Sequence, residues 1–412
     1  MTAGRPSLPD QPAAGVLSDE PLVVPENATP EELVEFLRTA NATRILGASE
    51  ADFRAKTRQK ADATITAADR ILAANASAAA RYEAAANKFN ALQTMHELRV
   101  DGVDAKIVAF ADEATQVVAG IVGEKIDPVL RSQAIVLKLN ALFMSAGRDG
   151  AKQDVFLSEL SAANADEDPA LVNIARQIEV QYRLARLSYG DESDPASLVA
   201  AVSAAVAVDT PDPDFFNQAR AIVSNLERSG HVEAAAKIAE AVGAAYAKFD
   251  NEQLAAVAKI WAESAKRRLG VVGSEVAING TLASGEPLDW PALRGKVVLI
   301  DFWATWCGPC VQSLPELEDL YALYHEQGFE IVGVSLDYKK ADLDGFLAQR
   351  KLPWPILANM VDKPEGTPEP NAERYGVDGI PWVILVDKQG KAAAVGLHGE
   401  ALEARVKELL AQ

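Results

Sequence analysis

The sequence predicts two kinds of domain in one chain, an all-helical domain over residues 28–269 and a mixed α/β domain over residues 270–412. Alanine-rich segments with helical periodicity follow one another through the first of these ranges, separated by short breaks. In the second range, short apolar runs typical of buried strands alternate with helical patterns. The chain's two cysteines, Cys307 and Cys310, lie where one such run meets a helix. We therefore expect any redox chemistry to belong to the α/β domain.

The N-terminal domain is preceded by a leader and begins with a clearly marked helix. Residues 1–27 combine proline, alanine and acidic side chains and are expected to form a disordered leader. Thr29 is a predicted N-cap, Pro30 fits the first turn and Glu32 completes a capping box. Apolar periodicity predicts further helices at about 51–74, 77–98, 103–120, 128–146, 151–163, 169–188, 195–208, 214–229, 231–249 and 251–268.

The links between these helices are short, which predicts antiparallel hairpins. Segments such as residues 231–249 carry small side chains at helical spacing and resemble tetratricopeptide-type repeats. No strict period is present, so the sequence favours an array of helical hairpins and leaves a bundle open. We find no catalytic constellation in this domain, and expect it to bind a protein partner, to dimerise or to act as a spacer. Asp-Pro pairs, which suit helix starts, occur at Asp127, Asp168, Asp194 and Asp212.

The C-terminal domain has the alternation of strands and helices expected of a mixed sheet. Turn signals within residues 277–296 predict a hairpin before the core, and the proline-rich, acidic segment 361–377 is expected to be a surface loop near the site. Strands are predicted at 297–303, 329–336, 382–387 and 391–397, and helices at about 308–327, 341–350 and 400–411.

Composition excludes several classes of function. The formal net charge of −19 argues against nucleic acid or an anionic membrane as the main partner, because both need a basic face. No run reaches the roughly 18 apolar residues needed to span a bilayer. The N-terminus lacks the apolar core of a signal peptide, which fits either a cytoplasmic protein or an exported chain whose signal has been removed.

The spacing of the two cysteines suits a working dithiol. A cysteine at the start of a helix faces unpaired amides and the positive end of the helix dipole, and both favour its thiolate. Cys310 lies one turn beyond Cys307, close enough to resolve a mixed disulfide formed there. Pro309 fits the first helical turn, and Gly308 lets another backbone approach. No cofactor beyond the Cys307–Cys310 disulfide is expected.

The segments "VVLIDFWATWCGPC", "FEIVGVSLD" and "YGVDGIPWVILVDKQGK" resemble the TlpA/ResA-type branch of the thioredoxin superfamily. The resemblance covers about residues 271–412 and implies a thioredoxin-like fold with an inserted segment between the central strand and the cis-proline. It implies a thiol-disulfide oxidoreductase in which Cys307 is the nucleophile and Cys310 resolves. Asp301, six residues before Cys307, matches the buried acid that takes a proton from the resolving cysteine.

The resemblance also implies a substrate-binding surface around the dithiol. Trp306 precedes the nucleophile, and Ile380-Pro381 matches the cis-proline site, where the backbone of Ile380 would pair with a substrate chain. Trp382 follows the proline where a smaller residue is common, and together with Trp306 and Trp354 it is expected to make the rim bulkier and more apolar, with packing of the inserted segment as the alternative for Trp354. Gly308 and Pro309 complete the predicted substrate-binding set.

One departure from the branch concerns a polar residue close to the dithiol. ResA-like reductases often carry a glutamate three residues after the second cysteine, and here that residue is Ser313. Any acid role is therefore assigned to Asp301, for which a structural carboxylate satisfied by local donors is the alternative. His325 and His398 have no partner in the motif and are expected to face solvent.

Three other interpretations compete with disulfide exchange. A structural zinc site usually needs four ligands, and two cysteines with four scattered histidines do not provide them. A peroxidase would carry a threonine three residues before the reactive cysteine, where this chain has Ala304. A scaffold whose helical domain binds a partner, with a redox-sensing dithiol, is the main alternative.

The expected partners follow from the dithiol. The substrate would be a disulfide-bearing protein, which is reduced or isomerised, and no metal or nucleic acid is expected. Electrons would come from a thioredoxin-reductase-like enzyme or from a membrane thiol-transfer protein. Members of the TlpA/ResA-type branch are usually exported or membrane-tethered, so a periplasmic or other extracytoplasmic location is expected, with the cytoplasm as the alternative.

Overall fold

The computed structural model describes residues 17–18, 22–123, 126–147, 149–191, 194–208, 212–360, 363–364 and 366–412. Most of the predicted leader, residues 1–27, lies outside the described residues. The chain forms two compact units, the first ending at Tyr182 and the second beginning at Arg183. The predicted boundary at residue 270 is the place where helices give way to the sheet, and a domain division there stays a prediction.

The first unit is built from helices that pack mainly on their neighbours in sequence. Its first helix has the predicted capping box, because Thr29 and Glu32 each accept a hydrogen bond from the other's backbone amide. Contacts between helices two apart are weaker, which is the pattern of stacked helical hairpins. The elements are β1 (Leu17–Ser18), α1 (Pro30–Ala42), β2 (Arg44–Ile45), α2 (Glu50–Ala73), α3 (Ala78–Glu97), α4 (Val103–Val122), α5 (Pro128–Ala146), α6 (Gly150–Asn164) and α7 (Pro169–Ser188), which crosses the boundary between the units.

The second unit begins with four helices, α8 (Ala196–Val206), α9 (Pro213–Arg228), α10 (Val232–Tyr246) and α11 (Glu252–Leu269). Helix α10 packs on α8, α9 and α11. The rings of Phe216, Tyr246 and Trp261 meet in this core, with centroids 5.2 Å apart for the first pair and 5.5 Å for Phe216 and Trp261. Aromatic contacts therefore fix the packing of these alanine-rich helices.

A five-stranded mixed sheet follows in the same unit, with the strand order β5-β4-β3-β6-β7. Strands β3, β4 and β5 are parallel, whereas β6 runs antiparallel to β3 and β7 antiparallel to β6. Both predicted fold classes, helical and thioredoxin-like α/β, are confirmed. The elements are β3 (Val297–Trp303), α12 (Gly308–Tyr324), β4 (Phe329–Ser335), α13 (Lys340–Gln349), β5 (Ile356–Leu357), α14 (Pro370–Tyr375), β6 (Trp382–Val386), β7 (Ala392–Val395) and α15 (Gly399–Ala411).

Two connecting segments of the α/β region were predicted from turn signals, a hairpin within residues 277–296 and a surface loop over residues 361–377. The predicted hairpin is present, since Thr281 pairs with Pro287 and the amide of Leu282 donates to the carbonyl of Glu286 at 2.7 Å. The prediction of a surface loop over 361–377 is wrong for α14, because Glu369 caps that helix through the amide of Ala372. Residues 361, 362 and 365 of this segment lie outside the described part.

Candidate active site

The two cysteines lie at the junction between β3 and α12. All seven residues of β3 are buried, and the strand is paired with β4 on one side and β6 on the other. Cys307 and Cys310 are joined in a disulfide with 5.3 Å between their Cα atoms. Cys307 is 6% exposed and Cys310 is 2% exposed. An outside thiol or disulfide therefore reaches Cys307 more readily than Cys310.

Cys307 is the N-cap residue of α12. The backbone amide of Cys310 donates to Cys307 Sγ at 3.2 Å, and Pro309 in the first turn has no amide of its own. When the disulfide is reduced, this amide and the helix dipole would stabilise negative charge on Cys307 Sγ. The predicted position of Cys307 at the start of a helix is present, and its role as the nucleophile stays a prediction. At Gly308, an added side-chain carbon would meet no atom within 4 Å, so the space above this position is open.

A buried carboxylate holds the loop that leads into Cys307. Asp337 lies two residues beyond β4 and is 1% exposed. It accepts hydrogen bonds from the amide of Thr305 at 3.1 Å, from the Thr305 hydroxyl at 2.6 Å and from the Ser335 hydroxyl at 2.8 Å. No sequence motif pointed to this residue, although its position just past a buried strand is a signal that could have indicated it. Asp337 joins the loop of the nucleophile to the neighbouring strand.

Asp301 lies within β3, on the strand that leads to the dithiol. Its register partners are Gly333 on β4 and Val383 on β6. Burial raises the pKa of Asp301 to about 7, because a carboxylate removed from water loses the hydration of its charged form. Near neutral pH the carboxyl group therefore exists in both protonation states and suits proton transfer. Its predicted transfer of a proton from Cys310 stays a prediction.

The loop that contains the cis-proline, residues 376–382, lies at the same end of the sheet as the dithiol. The peptide bond between Ile380 and Pro381 is cis, and β6 begins at the next residue. Because β6 runs antiparallel to β3, its first residue, Trp382, is paired with Phe302 near the end of β3. Ile380 is half-buried and packs on the apolar cluster that contains both cysteines. The structure thus brings the predicted dithiol and the predicted substrate loop together.

The three tryptophans expected at the rim differ in their surroundings. Trp306 is 64% exposed beside Cys307. Trp382 is only 7% exposed, and Trp354 is buried with its ring centroid 5.6 Å from that of Tyr321. The expectation of a bulkier rim is therefore wrong for Trp382, and Trp354 is a packing residue, as its alternative predicted. Of the three, Trp306 alone provides exposed aromatic surface. Substrate binding by Trp382 stays a prediction, and its side chain has little surface to offer.

A cleft of about 600 Å³ borders the exposed tryptophan. It is lined by Trp306, Asp337, Tyr338, Lys339, Asp342, Lys363 and Gly366. The last two residues belong to the segment that was expected at the edge of the site. A polypeptide bound over the dithiol would have room to continue along this cleft.

The other polar residues near the motif have structural partners. Ser313 donates to the carbonyl of Cys310 at 2.8 Å, within its own helix. His325 stacks on Tyr321 with centroids 4.4 Å apart, and His398 is half-buried at the start of α15, where desolvation lowers its pKa. The prediction that both histidines face solvent is wrong for His398 and correct in part for His325, whose side chain is 36% exposed. Among the described residues no group of three or more histidine, cysteine or acidic side chains could hold a metal ion.

Comparison with known proteins places this site in a family. Residues 272–411 match the family model described as Redoxin. The thiol-disulfide oxidoreductase ResA of Bacillus anthracis is 31% identical over 131 residues, which cover 32% of this chain and 70% of that protein. ResA of Halalkalibacterium halodurans is 33% identical over 137 residues, or 33% of this chain and 73% of that protein.

Solved structures include the thioredoxin domain of a thiol-disulfide oxidoreductase from Bacteroides vulgatus. It is 31% identical, with a TM-score of 0.31, and the match covers 34% of this chain and 97% of that domain. The motif at Cys307 and Cys310, the cis bond before Pro381 and the extent of the ResA matches agree on one assignment. Through its C-terminal region, the chain belongs to the ResA-like family of thiol-disulfide oxidoreductases.

Proposed function

We propose that this protein reduces or isomerises disulfides in other proteins, with Cys307 as the nucleophile and Cys310 as the resolving residue. The observation that carries the proposal is the position of Cys307 Sγ at the start of α12, where the Cys310 amide donates to it at 3.2 Å. This arrangement favours an attacking thiolate at one sulfur and keeps the second sulfur within bonding distance.

The proposed reaction has two exchange steps. The Cys307 thiolate attacks one sulfur of a substrate disulfide, forms a mixed disulfide and releases the other substrate sulfur as a thiolate. The Cys310 thiolate then attacks Cys307 Sγ, which releases the second substrate thiolate and forms the Cys307–Cys310 disulfide. Two electrons pass to the substrate, and a separate dithiol donor must return two electrons to the protein. Isomerisation results when a substrate thiol resolves the mixed disulfide instead.

Asp301 is the proposed proton acceptor for Cys310. Its pKa of about 7 lies near the pH at which a general base works best. Cys310 is 2% exposed in the disulfide-bonded structure, so at this position the thiol formed on reduction would have little contact with solvent that could take its proton. A carboxyl group on the strand beneath the dithiol can serve instead, directly or through a water molecule.

Reduction of insulin disulfides, driven by dithiothreitol, tests the proposal. The wild-type protein is expected to reduce insulin, and Cys307→Ser is expected to abolish the catalysed rate. When Cys310→Ser is reduced, freed of dithiothreitol and mixed with insulin, it is expected to accumulate a mixed disulfide between Cys307 and insulin, which is visible by non-reducing gel and mass spectrometry. Ser313→Ala, one turn beyond the dithiol, is the matched control and should retain the wild-type rate. A wild-type protein with no rate above that of dithiothreitol alone would contradict the proposal.

An extracytoplasmic location, with a membrane thiol-transfer protein as the electron donor, is part of the proposal. The resemblance to a usually exported branch supports it. No helix in the described part of the chain is both long and apolar enough to cross a membrane. Fractionation of the source cells is the test, and recovery of the full-length chain only with cytoplasmic markers would favour a thioredoxin-reductase-like donor instead.

A further inference from the structure

A buried arginine connects the helices of the second unit to the cis-proline loop. Arg268, in the last turn of α11, is 4% exposed. Its Nε and Nη2 donate to Glu227 Oε1 on α9 at 3.2 and 2.9 Å. Its Nη1 donates to the carbonyl of Gly376 at 3.0 Å and to Asp378 Oδ1 at 2.9 Å. One guanidinium group therefore binds two elements that are more than a hundred residues apart in sequence.

The same guanidinium also contacts the residue that follows the cis-proline. The carbon at its centre lies 5.1 Å from the centre of the Trp382 ring, which is within the range of a cation–π interaction. Trp382 directly follows Pro381, whereas Gly376 and Asp378 lie before the cis bond between Ile380 and Pro381. Arg268 therefore contacts the loop on both sides of the cis peptide bond.

The backbone of the loop packs closely against the backbone of α11 at Gly376. At Gly376, which has a φ of +67°, an added side-chain carbon would lie 2.3 Å from the carbonyl oxygen of Ser264 and 2.9 Å from the amide nitrogen of Arg268. Helix α11 and the start of the loop touch without an intervening side chain. A shift of the helix must therefore either move the loop or break the hydrogen bonds between them.

Burial of the charged side chains of Arg268 and Glu227 costs free energy, and this cost helps to identify the role of the pair. Burial raises the pKa of Glu227, and the positive charge of Arg268 opposes that shift. A buried ion pair is often no more stabilising than a pair of well-packed apolar side chains. The pair is directional, however, because the planar guanidinium meets its acceptors only in a narrow set of orientations. Such contacts are better suited to holding the loop in one geometry than to stabilising the folded protein.

We propose that Arg268 is a positioning residue for the substrate loop, Gly376–Trp382, and that α9 and α11 thereby set the rate at which the dithiol reacts with protein disulfides. The proposal rests on the proposed disulfide exchange and adds a role for helices that lie outside the thioredoxin-like sheet. Arg268 does not take part in the exchange of sulfurs. It holds the backbone along which a substrate chain would align, so its effect should depend on the size of the substrate.

Two disulfides of different size separate this role from general damage to the site. The probes are insulin, which must align a polypeptide along the loop, and oxidised glutathione, which needs little more than access to Cys307. The test variant is the double substitution Arg268→Met and Glu227→Met, which removes both buried charges and leaves neither unpaired. Asp378→Asn is a second variant, because it weakens the link at a partly exposed residue and keeps the Arg268–Glu227 pair. Lys266→Met, at an exposed position in the same turn of α11, is the matched control.

The double variant is expected to lower kcat/KM for insulin about tenfold, mainly through KM, and to keep the rate with oxidised glutathione within about twofold of wild type. Asp378→Asn should lower the insulin value about threefold, and Lys266→Met should match wild type. An insulin value for Asp378→Asn or for the double variant within error of wild type would overturn the proposal. An equal loss with both probes would also overturn it, because it would show damage to the dithiol. Failure of the wild type with both probes would instead refute the proposed function.

Discussion

Two loops meet at the candidate active site, and they are held in different ways. The loop before Cys307 is anchored from within the sheet, because Thr305 binds Asp337 just beyond the neighbouring strand β4. The loop before Trp382 is anchored from outside the sheet, through Asp378 and Arg268, which are 110 residues apart in sequence. The loop before Cys307 is therefore held by contacts to the sheet, whereas the loop before Trp382 is also held by α9 and α11.

This difference separates two functional properties of the site. Changes on the sheet side should alter the reactivity of Cys307 toward every disulfide. Changes on the helix side should alter mainly the reaction with large substrates. Four substitutions on the two sides of the site differ in the expected change in the free energy of unfolding, which is largest for Asp301→Asn and smallest for Trp306→Ala.

Asp301→Asn should give the largest change, and the change should depend on pH. The folded-state pKa of Asp301 is about 7, above its usual value of 3.8, so the folded protein binds the extra proton between these pH values. Wild-type stability attributable to this group is therefore present at low pH and is lost as the pH rises from about 4 to 7. Relative to wild type, the variant should gain on the order of 4 kcal/mol between pH 4 and pH 8.

Urea unfolding at five pH values between 4 and 8 measures this difference. Ile300→Val, at the preceding buried position of β3, is the control for altered packing and should cost about 1 kcal/mol at every pH. A difference between Asp301→Asn and wild type that does not change with pH would show that the carboxyl group titrates normally.

Asp337→Ala tests the loop held by the sheet. The substitution leaves the amide and hydroxyl of Thr305 without their buried acceptor, so the free energy of unfolding should fall by about 3 kcal/mol. Rates with insulin and with oxidised glutathione should fall in parallel, because the loop that is released carries the nucleophile. Asp344→Ala, which removes an exposed ion pair with Lys340 on α13, should cost at most about 0.5 kcal/mol. A loss of rate with insulin but not with oxidised glutathione would contradict the view that the loop held by Asp337 affects the reaction with every disulfide.

Gly376→Ala tests the loop held by the helices. The new side-chain carbon would enter the contact with α11 at a positive φ, so the free energy of unfolding should fall by about 2 to 3 kcal/mol. The rate with insulin should fall while the rate with oxidised glutathione is retained. Gly190→Ala is closely matched, because Gly190 has a φ of +71° and no atom lies within 4 Å of the added carbon. That control should cost only about 1 kcal/mol, and equal costs for the two variants would show that the contact with α11 is unimportant.

Trp306→Ala should have the smallest effect on stability, because the side chain is 64% exposed. The free energy of unfolding should stay within about 0.5 kcal/mol of wild type. The KM for insulin should rise about fivefold, since an exposed aromatic beside the nucleophile is a favourable contact for a bound chain. Leu323→Ala, which changes a 60% exposed apolar residue on α12, is the control and should leave KM unchanged. An unchanged KM for Trp306→Ala would remove this tryptophan from the predicted substrate-binding surface.

The sequence was most informative where structure depends on local signals. The capping box at Thr29, the strand that ends at Trp303 and the helix that begins at Cys307 each depend on a few adjacent residues, and all three are present. The position of the dithiol and the cis bond before Pro381 followed from short motifs in the same way. Local chemistry and family resemblance were sufficient for these features.

The sequence was least informative where distant residues meet. Trp382 was expected at the rim because it follows the cis-proline, but Arg268 and the close approach of Gly396 bury its ring. Nothing in the spacing of Glu227, Arg268 and Asp378 indicates that they share one set of hydrogen bonds. Helix α14 was missed because its start depends on Glu369, within a segment whose prolines favour a loop. These errors share one cause, since each feature depends on tertiary contacts.

The rate at which Cys307 is alkylated shows directly whether the junction between β3 and α12 activates this residue. In the variant Cys310→Ser it is the only thiol in the chain, so the rate with iodoacetamide reports on this sulfur alone. At pH 6 the folded variant should react at least about tenfold faster than the same variant unfolded in urea, because the start of α12 stabilises the thiolate. A folded-state rate equal to or below the unfolded rate would contradict the claim that the junction between β3 and α12 activates Cys307.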